Sequence, residues 1–490
     1  MYDNDDPIRV TAMLSERVDA CRSVLRGDRS LQRRGRSMFD REVVSFAHGD
    51  GLAAPDFTVV AAGIEALLDQ ARFPLSRYNF LERHEGLEDV IRATMRSEGF
   101  PDSHHSSLCV DSGTTKLLQS FLRSVTEAGD AVLVAPTFYH GLVGWARLMN
   151  LGLQLVSTSA GYAHKLEPQA IETAIHNAKR WARRTSALVV FNPTQTGAMY
   201  TAAELDAISD CCAQYDLDVI EDSIFGRTRF DQTIPLAHLA SSRSIGERVV
   251  TVDGCSKADG LANARIGWAA GPPMLLDKME RVKAATTVGI PYVTLEMARA
   301  ALLVPRTVRE ADATECAHRA AAVIGAVQLV NAVLDGDDRE RPAIVVVHPP
   351  EAGHSILLDV SGLGVRSDLL AWPNDSLDVT ERWLDRAAVA VSPMCSSGLC
   401  GSEIRLNFAC VTDPLEAKST KNASSHVPAG VVRAAAFGDR GAVDHFLRSL
   451  DTLATAEARP TGRVLEVIRH SIVDRVGAAH HDRVLVGASG

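Results

Sequence analysis

Several separated segments of the 490-residue chain carry side chains whose chemistry would suit one small, flat, anionic ligand. Ser112-Gly113-Thr114-Thr115 opens an apolar helical stretch from Lys116 to Val125. A glycine and hydroxyls at a helix start leave free N–H groups at the positive end of the helix dipole, which favours phosphate. Pro136-Thr137-Phe138-Tyr139-His140 follows the apolar run Ala131–Ala135, and an aromatic there could stack on a heteroaromatic ring. Asn192-Pro193 follows Ala187–Phe191 and offers an amide to a phenolate oxygen. Asp222 follows Leu217–Ile220; a carboxylate facing a pyridine nitrogen keeps it protonated, so that the ring draws electrons from a carbanion. Ser256-Lys257 precedes Arg265. A lysine among cationic and apolar groups has a lowered pKa and can form an imine, and arginine presents a planar fork to phosphate. Late in the chain, Ile404-Arg405-Leu406-Asn407 adds a second fork, suited to a carboxylate. Taken singly, each has an ordinary structural reading: an N-cap, a core aromatic, a turn asparagine, a strand-end aspartate, a surface lysine.

The elements that must position these residues read as α/β. Ala131–Ala135, Ala187–Phe191, Leu217–Ile220, Arg248–Val252 and Ile266–Ala270 are short and apolar without alternation, as parallel strands buried on both faces are. Helical stretches separate them, and Thr201-Ala202-Ala203-Glu204 is a capping-box pattern opening a helix over 202–215. This alternation predicts a mostly parallel sheet with ligands beyond the carboxyl ends of its strands. Leu14, Val18, Cys21 and Leu25 predict an amphipathic helix over 8–26, stopped by Gly27. After residue 306 a long Ala/Val-rich helix leads to strand-like runs at 343–348, 355–360, 388–392 and 403–408, as expected for a smaller α+β domain. The expected division is an N-terminal helical segment over 1–48 that joins the small domain, a large ligand-binding domain over 49–305, the small domain over 306–460, and a helical tail over 461–490. Residues 413–441, rich in Ser, Lys, Ala and Gly, read as a loop or insertion.

Composition narrows the class of partner. The chain is 46% hydrophobic and 23% charged, ordinary for a globular protein, with a formal net charge of −10. The patch Arg33, Arg34, Arg36 is too short for a nucleic-acid groove, and no apolar run is long enough to span a bilayer. The acidic start has no apolar signal region, and nine scattered cysteines without a C-x-x-C pair predict free thiols. A cytoplasmic location is the expectation. Dinucleotide, P-loop, zincin and nucleophile-elbow motifs are absent from the sequence.

The order of these segments over roughly residues 45–450 resembles that of fold-type I pyridoxal-5′-phosphate (PLP) enzymes, in particular the class I/II aminotransferases. The resemblance implies that the mostly parallel sheet is of the seven-stranded type. It implies a Schiff-base lysine at Lys257, a ring-nitrogen partner at Asp222 and a ring-oxygen donor at Asn192. It implies a phosphate cup of Gly113, Thr114 and Arg265, joined by Ser256. It places the stacking ring at Phe138, with Tyr139 as second choice, and the substrate carboxylate clamp at Arg405, beside Gly49. Tyr78, before Gly86 and Leu87, resembles a tyrosine that reaches the phosphate of a neighbouring subunit, so a homodimer with shared sites is implied. Departures from the pattern matter as well. Phe225 stands where the family usually has a tyrosine, Gly254 replaces a serine, and Asn192–Gly197 lacks a second Asn and Pro.

The resemblance implies amino transfer between an α-amino acid and a 2-oxo acid. It leaves open other PLP chemistry on an amino acid, such as β- or γ-elimination, replacement or cyclisation, with S-adenosylmethionine as one possible substrate. A ligand-sensing regulator is disfavoured, because no basic recognition-helix pattern precedes residue 45.

Overall fold

The computed structural model describes residues 5–27, 37–38, 40, 43–47, 49–52, 54–79, 85–335, 342–363, 375–387 and 389–409. The expected loop over 413–441 and tail over 461–490 lie outside the described residues.

A seven-stranded sheet forms the larger layer. Its strands are β2 (Leu108–Asp111), β3 (Ala131–Val134), β4 (Gly152–Leu155), β5 (Thr185–Phe191), β6 (Asp218–Asp222), β7 (Val249–Gly254) and β8 (Gly267–Ala270), in the spatial order β2-β8-β7-β6-β5-β3-β4. All neighbours pair in parallel except β8, which runs antiparallel to both β2 and β7. Val132, Val189, Ile220 and Val252 point into one core, while Leu133, Leu188, Val190 and Val219 point into another on the opposite face. Burial on both faces explains why these strands are apolar without alternation. The sequence runs located β3, β5, β6, β7 and β8. They missed β2 and β4, each only four residues long with a polar residue among them.

Helices cover this sheet: α2 (Phe57–Leu68), α3 (Glu85–Ser97), α4 (Thr114–Val125), α5 (Gly141–Leu148), α6 (Pro168–Arg180), α7 (Ala202–Gln214), α8 (Pro273–Thr286) and α9 (Tyr292–Leu303). In α7 the capping box forms, Thr201 accepting from the Glu204 amide while the Glu204 side chain accepts from the Thr201 amide. A long α10 (Arg306–Asp335) then leads to a four-stranded antiparallel sheet of β12 (Ser392–Pro393), β13 (Glu403–Asn407), β10 (Ser355–Asp359) and β9 (Val345–Val346), with α11 (Ser376–Ala387) against it. Its core contains Val323, Val327, Ile356, Leu358, Trp383, Ile404 and Leu406.

The first helix, α1 (Pro7–Arg26), straddles the two bodies. Asp6 caps it and Gly27 ends it, as its sequence requires. Val10, Leu14 and Val18 pack into the core beside the large sheet, whereas Val24 packs with Val43, Leu384 and Ala390. Its following segment adds β1 (Val44–Ser45), parallel to β11 (Val389–Ala390). No helix among the described residues is long and apolar enough to cross a membrane.

Candidate active site

A cavity of about 530 Å³ opens beyond the carboxyl ends of β5, β6 and β7, roofed by the small sheet and by α1. Gly49, Thr114, Tyr139, Asp222, Phe225, Ser256, Lys257, Arg265 and Arg405 all line it. Residues more than 350 positions apart in sequence are thus brought to one place by strand ends, as in open parallel sheets generally.

Asp222 is the last residue of β6 and only 4% exposed. One of its oxygens accepts the Ile224 amide at 3.0 Å. Burial pushes its carboxyl up to about 7, against the Ile224 bond and the attraction of Lys257; Asp253 and Glu221 push the same way as burial. A cationic N–H facing this carboxylate would reverse that effect. A protonated pyridine nitrogen is such a group.

Lys257 sits on the turn after β7 and donates to the carbonyl of Gly49. Burial lowers its pKa; Asp50 opposes this, Arg405 adds to it, Asp222 opposes and Arg265 adds. An amine held closer to neutrality is a better nucleophile. The turn is pinned from below by Arg227, which is 2% exposed and reaches Asp253 at 2.9 Å, Asp259 at 2.8 Å and the Gly254 carbonyl at 2.8 Å. A Cβ at Gly254 would lie 2.6 Å from the Ile266 carbonyl oxygen, so the serine usual there does not fit this backbone.

The start of α4 has the form of an anion cradle. Its N-cap is Gly113 at φ +83°, with no side-chain cap to its free amides. A Cβ on Gly113 would stand 2.9 Å from Nη2 of Arg265, and one on Gly267 would stand 2.9 Å from the Thr114 nitrogen. Glycine at both positions allows the guanidinium and the helix start to converge.

Arg405 projects from β13 between Leu357 and Ser392 on its neighbouring strands. Its Nη1 and Nη2 make only long contacts, 3.5 Å to Gln195 Oε1 and 3.5 Å to Ser392 Oγ, and its buried Nε has no partner. A fork with unfilled donors in a cavity can receive a carboxylate. Two residues on, Asn407 donates to the Asp50 carbonyl at 2.8 Å and so holds the loop that carries Gly49.

Three expected residues lie elsewhere. Asn192 does not line the cavity: its amide nitrogen is spent on Glu221 Oε1 at 2.8 Å and the Ala237 carbonyl at 2.7 Å, on the far face of the sheet from Asp222. Phe138 is 2% exposed inside the core, and Tyr139, the second choice, is the aromatic that lines the cavity. Tyr78 is 77% exposed and away from the cavity.

Other cavity residues were not anticipated: Gln195, His140, His354, and Cys21 and Arg22 of α1. Burial lowers His140 to about 4, with Arg405 and Arg22 contributing. Gln195 lies in the turn whose departure from the family pattern was evident, but spacing does not tell which side chain of a turn faces inward. His354 had a weaker signal, a polar residue at the head of an apolar strand run.

Comparison with known proteins shows the family and the fold. The family model for aminotransferase class I and II matches residues 41–416. A probable aspartate/prephenate aminotransferase of Rickettsia conorii is 23% identical over 373 residues, covering 75% of this chain and 87% of the relative. The bifunctional aspartate aminotransferase and glutamate/aspartate-prephenate aminotransferase of Petunia hybrida is 24% identical over 387 residues, covering 76% and 74%. Among solved structures, the aspartate aminotransferase from Thermus thermophilus with maleate superposes with a TM-score of 0.66 at 19% identity, covering 90% of this chain and 96% of that one.

Proposed function

The chain belongs to the class I and II aminotransferase family and is a PLP-dependent enzyme, and from that premise we propose that this cavity transfers an amino group between an amino acid and a 2-oxo acid, with Lys257 as the cofactor lysine. The observation that carries the proposal is the convergence of Asp222, Lys257 and an under-used Arg405 on one cavity. Bound PLP supplies an electron sink for the substrate's Cα.

The chain's own residues divide the remaining work. Lys257 would hold the cofactor covalently through its amine. The amides at the start of α4, with Thr114, Ser256 and Arg265, would hold its phosphate. Asp222 would keep the ring nitrogen protonated, and Tyr139 would lie against the ring. Arg405 would orient the substrate through its carboxylate, with the Gly49 loop alongside. Lys257 Nζ, which already reaches across the cavity to Gly49, would move the proton at the substrate's Cα.

An amino acid with a second carboxylate is the substrate class to test first. Arg22 lines the same cavity from α1, and the relatives are named for aspartate, glutamate and prephenate. We take the enzyme to be a cytoplasmic homodimer with large and small domains meeting near residue 305. An exposed apolar stripe on α2 supports the dimer: Phe57 is 80% exposed, Ile64 52% and Leu68 77%. Tyr78 lies on the exposed surface, as reaching a neighbouring subunit requires. The described cysteines are all free thiols, in keeping with a reducing compartment.

Phe225 favours a second reading, in which the bound amino acid is eliminated or substituted rather than transaminated, because a phenyl ring gives the cofactor no hydrogen bond. Stoichiometry separates the two. Holoenzyme incubated with aspartate or glutamate and no oxo acid should release one equivalent of oxo acid per site and stop. Repeated turnover without an amino acceptor would replace the first reading with the second.

A further inference from the structure

His354 sits at the head of β10, where its carbonyl accepts the Phe408 amide at 2.9 Å. It is 4% exposed and its ring lines the cavity. The ring stands edge-on to Phe225, centroids 5.6 Å apart at 83°. Gly51 closes over it so tightly that a Cβ there would lie 2.8 Å from Cε1. Nδ1 is buried without a partner, and neither ring nitrogen is hydrogen-bonded to any described residue. Other buried histidines behave differently. His104 spends a ring nitrogen on Thr251 Oγ1 at 3.0 Å, and His238 spends one on the Glu98 carbonyl at 3.2 Å. Buried polar side chains are nearly always paired, so an unpaired one in a cavity wall points to a partner that the cavity binds.

We propose that His354 donates a hydrogen bond to an oxygen of the bound cofactor–substrate pair, a role that Phe225 has no atom to take. The proposal rests on the reading that the cavity holds PLP on Lys257. Burial, followed by the charge of Lys257, lowers His354 to about 3, so at neutral pH the imidazole is uncharged and carries one N–H. The donor does not add a positive charge to a cavity that already contains Lys257, Arg405 and Arg265. Two oxygens could be its acceptor: the cofactor's ring oxygen or one on the substrate's side chain.

His354→Phe and His354→Gln distinguish them, the glutamine retaining an N–H. First, the visible absorbance of each holoenzyme is titrated with pH in the absence of substrate. If the acceptor is the ring oxygen, His354→Phe raises the midpoint by about one to two pH units, because the anionic oxygen loses a charge-assisted bond, and His354→Gln restores part of it. If the acceptor is on the substrate, the midpoint stays put. kcat/KM for side chains bearing an oxygen then falls about ten- to hundredfold relative to hydrocarbon side chains of similar size, again with recovery in His354→Gln. An unchanged midpoint with an unchanged preference, or with a uniform loss on every amino acid, overturns the proposal. Absence of any visible cofactor band in the unaltered protein would instead overturn the reading of Lys257.

Discussion

Arg227 and Asp253 form an ion pair at 2.9 Å directly beneath the turn that carries Lys257. Arg227 also binds Asp259 at 2.8 Å on the far side of the lysine, so one buried guanidinium fixes both ends of the turn. Replacing it with methionine leaves two buried carboxylates unpaired. We expect Arg227→Met to lose about 3–5 kcal/mol of stability and to retain PLP poorly. Arg227→Lys should fall between, since an ammonium cannot reproduce the three-way fork. Urea unfolding and cofactor content after gel filtration test this; native stability in Arg227→Met would show that the cluster does not support the turn.

Asp222 gives a pH signature in the cofactor-free protein. Burial holds its carboxyl at about 7 in the folded chain, above the usual value near 4. The folded state therefore binds this proton more tightly than the unfolded chain. The resulting stability is fully present below about pH 4 and is lost as pH rises through about 7. Apoenzyme stability should decline between pH 5 and pH 8 by on the order of 2–4 kcal/mol from this group. Asp222→Asn should flatten that decline, and a decline equal in both proteins would assign it to another residue. With PLP bound, the same variant should lose turnover by several orders of magnitude while keeping its fold.

Arg405 makes two long hydrogen bonds and leaves Nε unpaired, so its fork is available. Arg405→Lys preserves charge but not the paired geometry. It should lower kcat/KM about ten- to hundredfold for every amino acid, whatever its side chain. Initial rates over acidic, aromatic and aliphatic amino acids check this. A loss confined to acidic substrates would move Arg405 from the common carboxylate to the side chain.

Much of this site was legible because strand ends leave a strong trace. A buried parallel strand is a short apolar run, and the polar residue that ends it stands out, as Asp222 does after Leu217–Ile220. Lys257, three residues past the end of β7, and Arg405, in the middle of β13, carry no such trace and stood out only through the order of the segments and the family resemblance it supports. Asn192 also ends such a run, but the alternation of side chains along β5 and β6 sends its amide to Glu221 rather than into the cavity. Phe138 and Tyr139 are adjacent just after the turn at Thr137, with φ +73°, and Phe138 packs in the core while Tyr139 lines the cavity, a difference that spacing alone does not give. Periodicity foretold α1 but not its placement, because an apolar stripe does not say which neighbours it meets. Its Cys21 and Arg22 join the cavity only through tertiary packing, as does His354 from the second sheet.

If Lys257 carries the cofactor as an imine, reduction should trap the cofactor on this residue. Holoenzyme reduced with borohydride, digested and analysed by mass spectrometry should yield one pyridoxyl-modified peptide, with the label on Lys257. Lys257→Ala should lack both that label and the visible cofactor band. A label mapped to any other lysine in the unaltered protein would rule out Lys257 as the point of attachment.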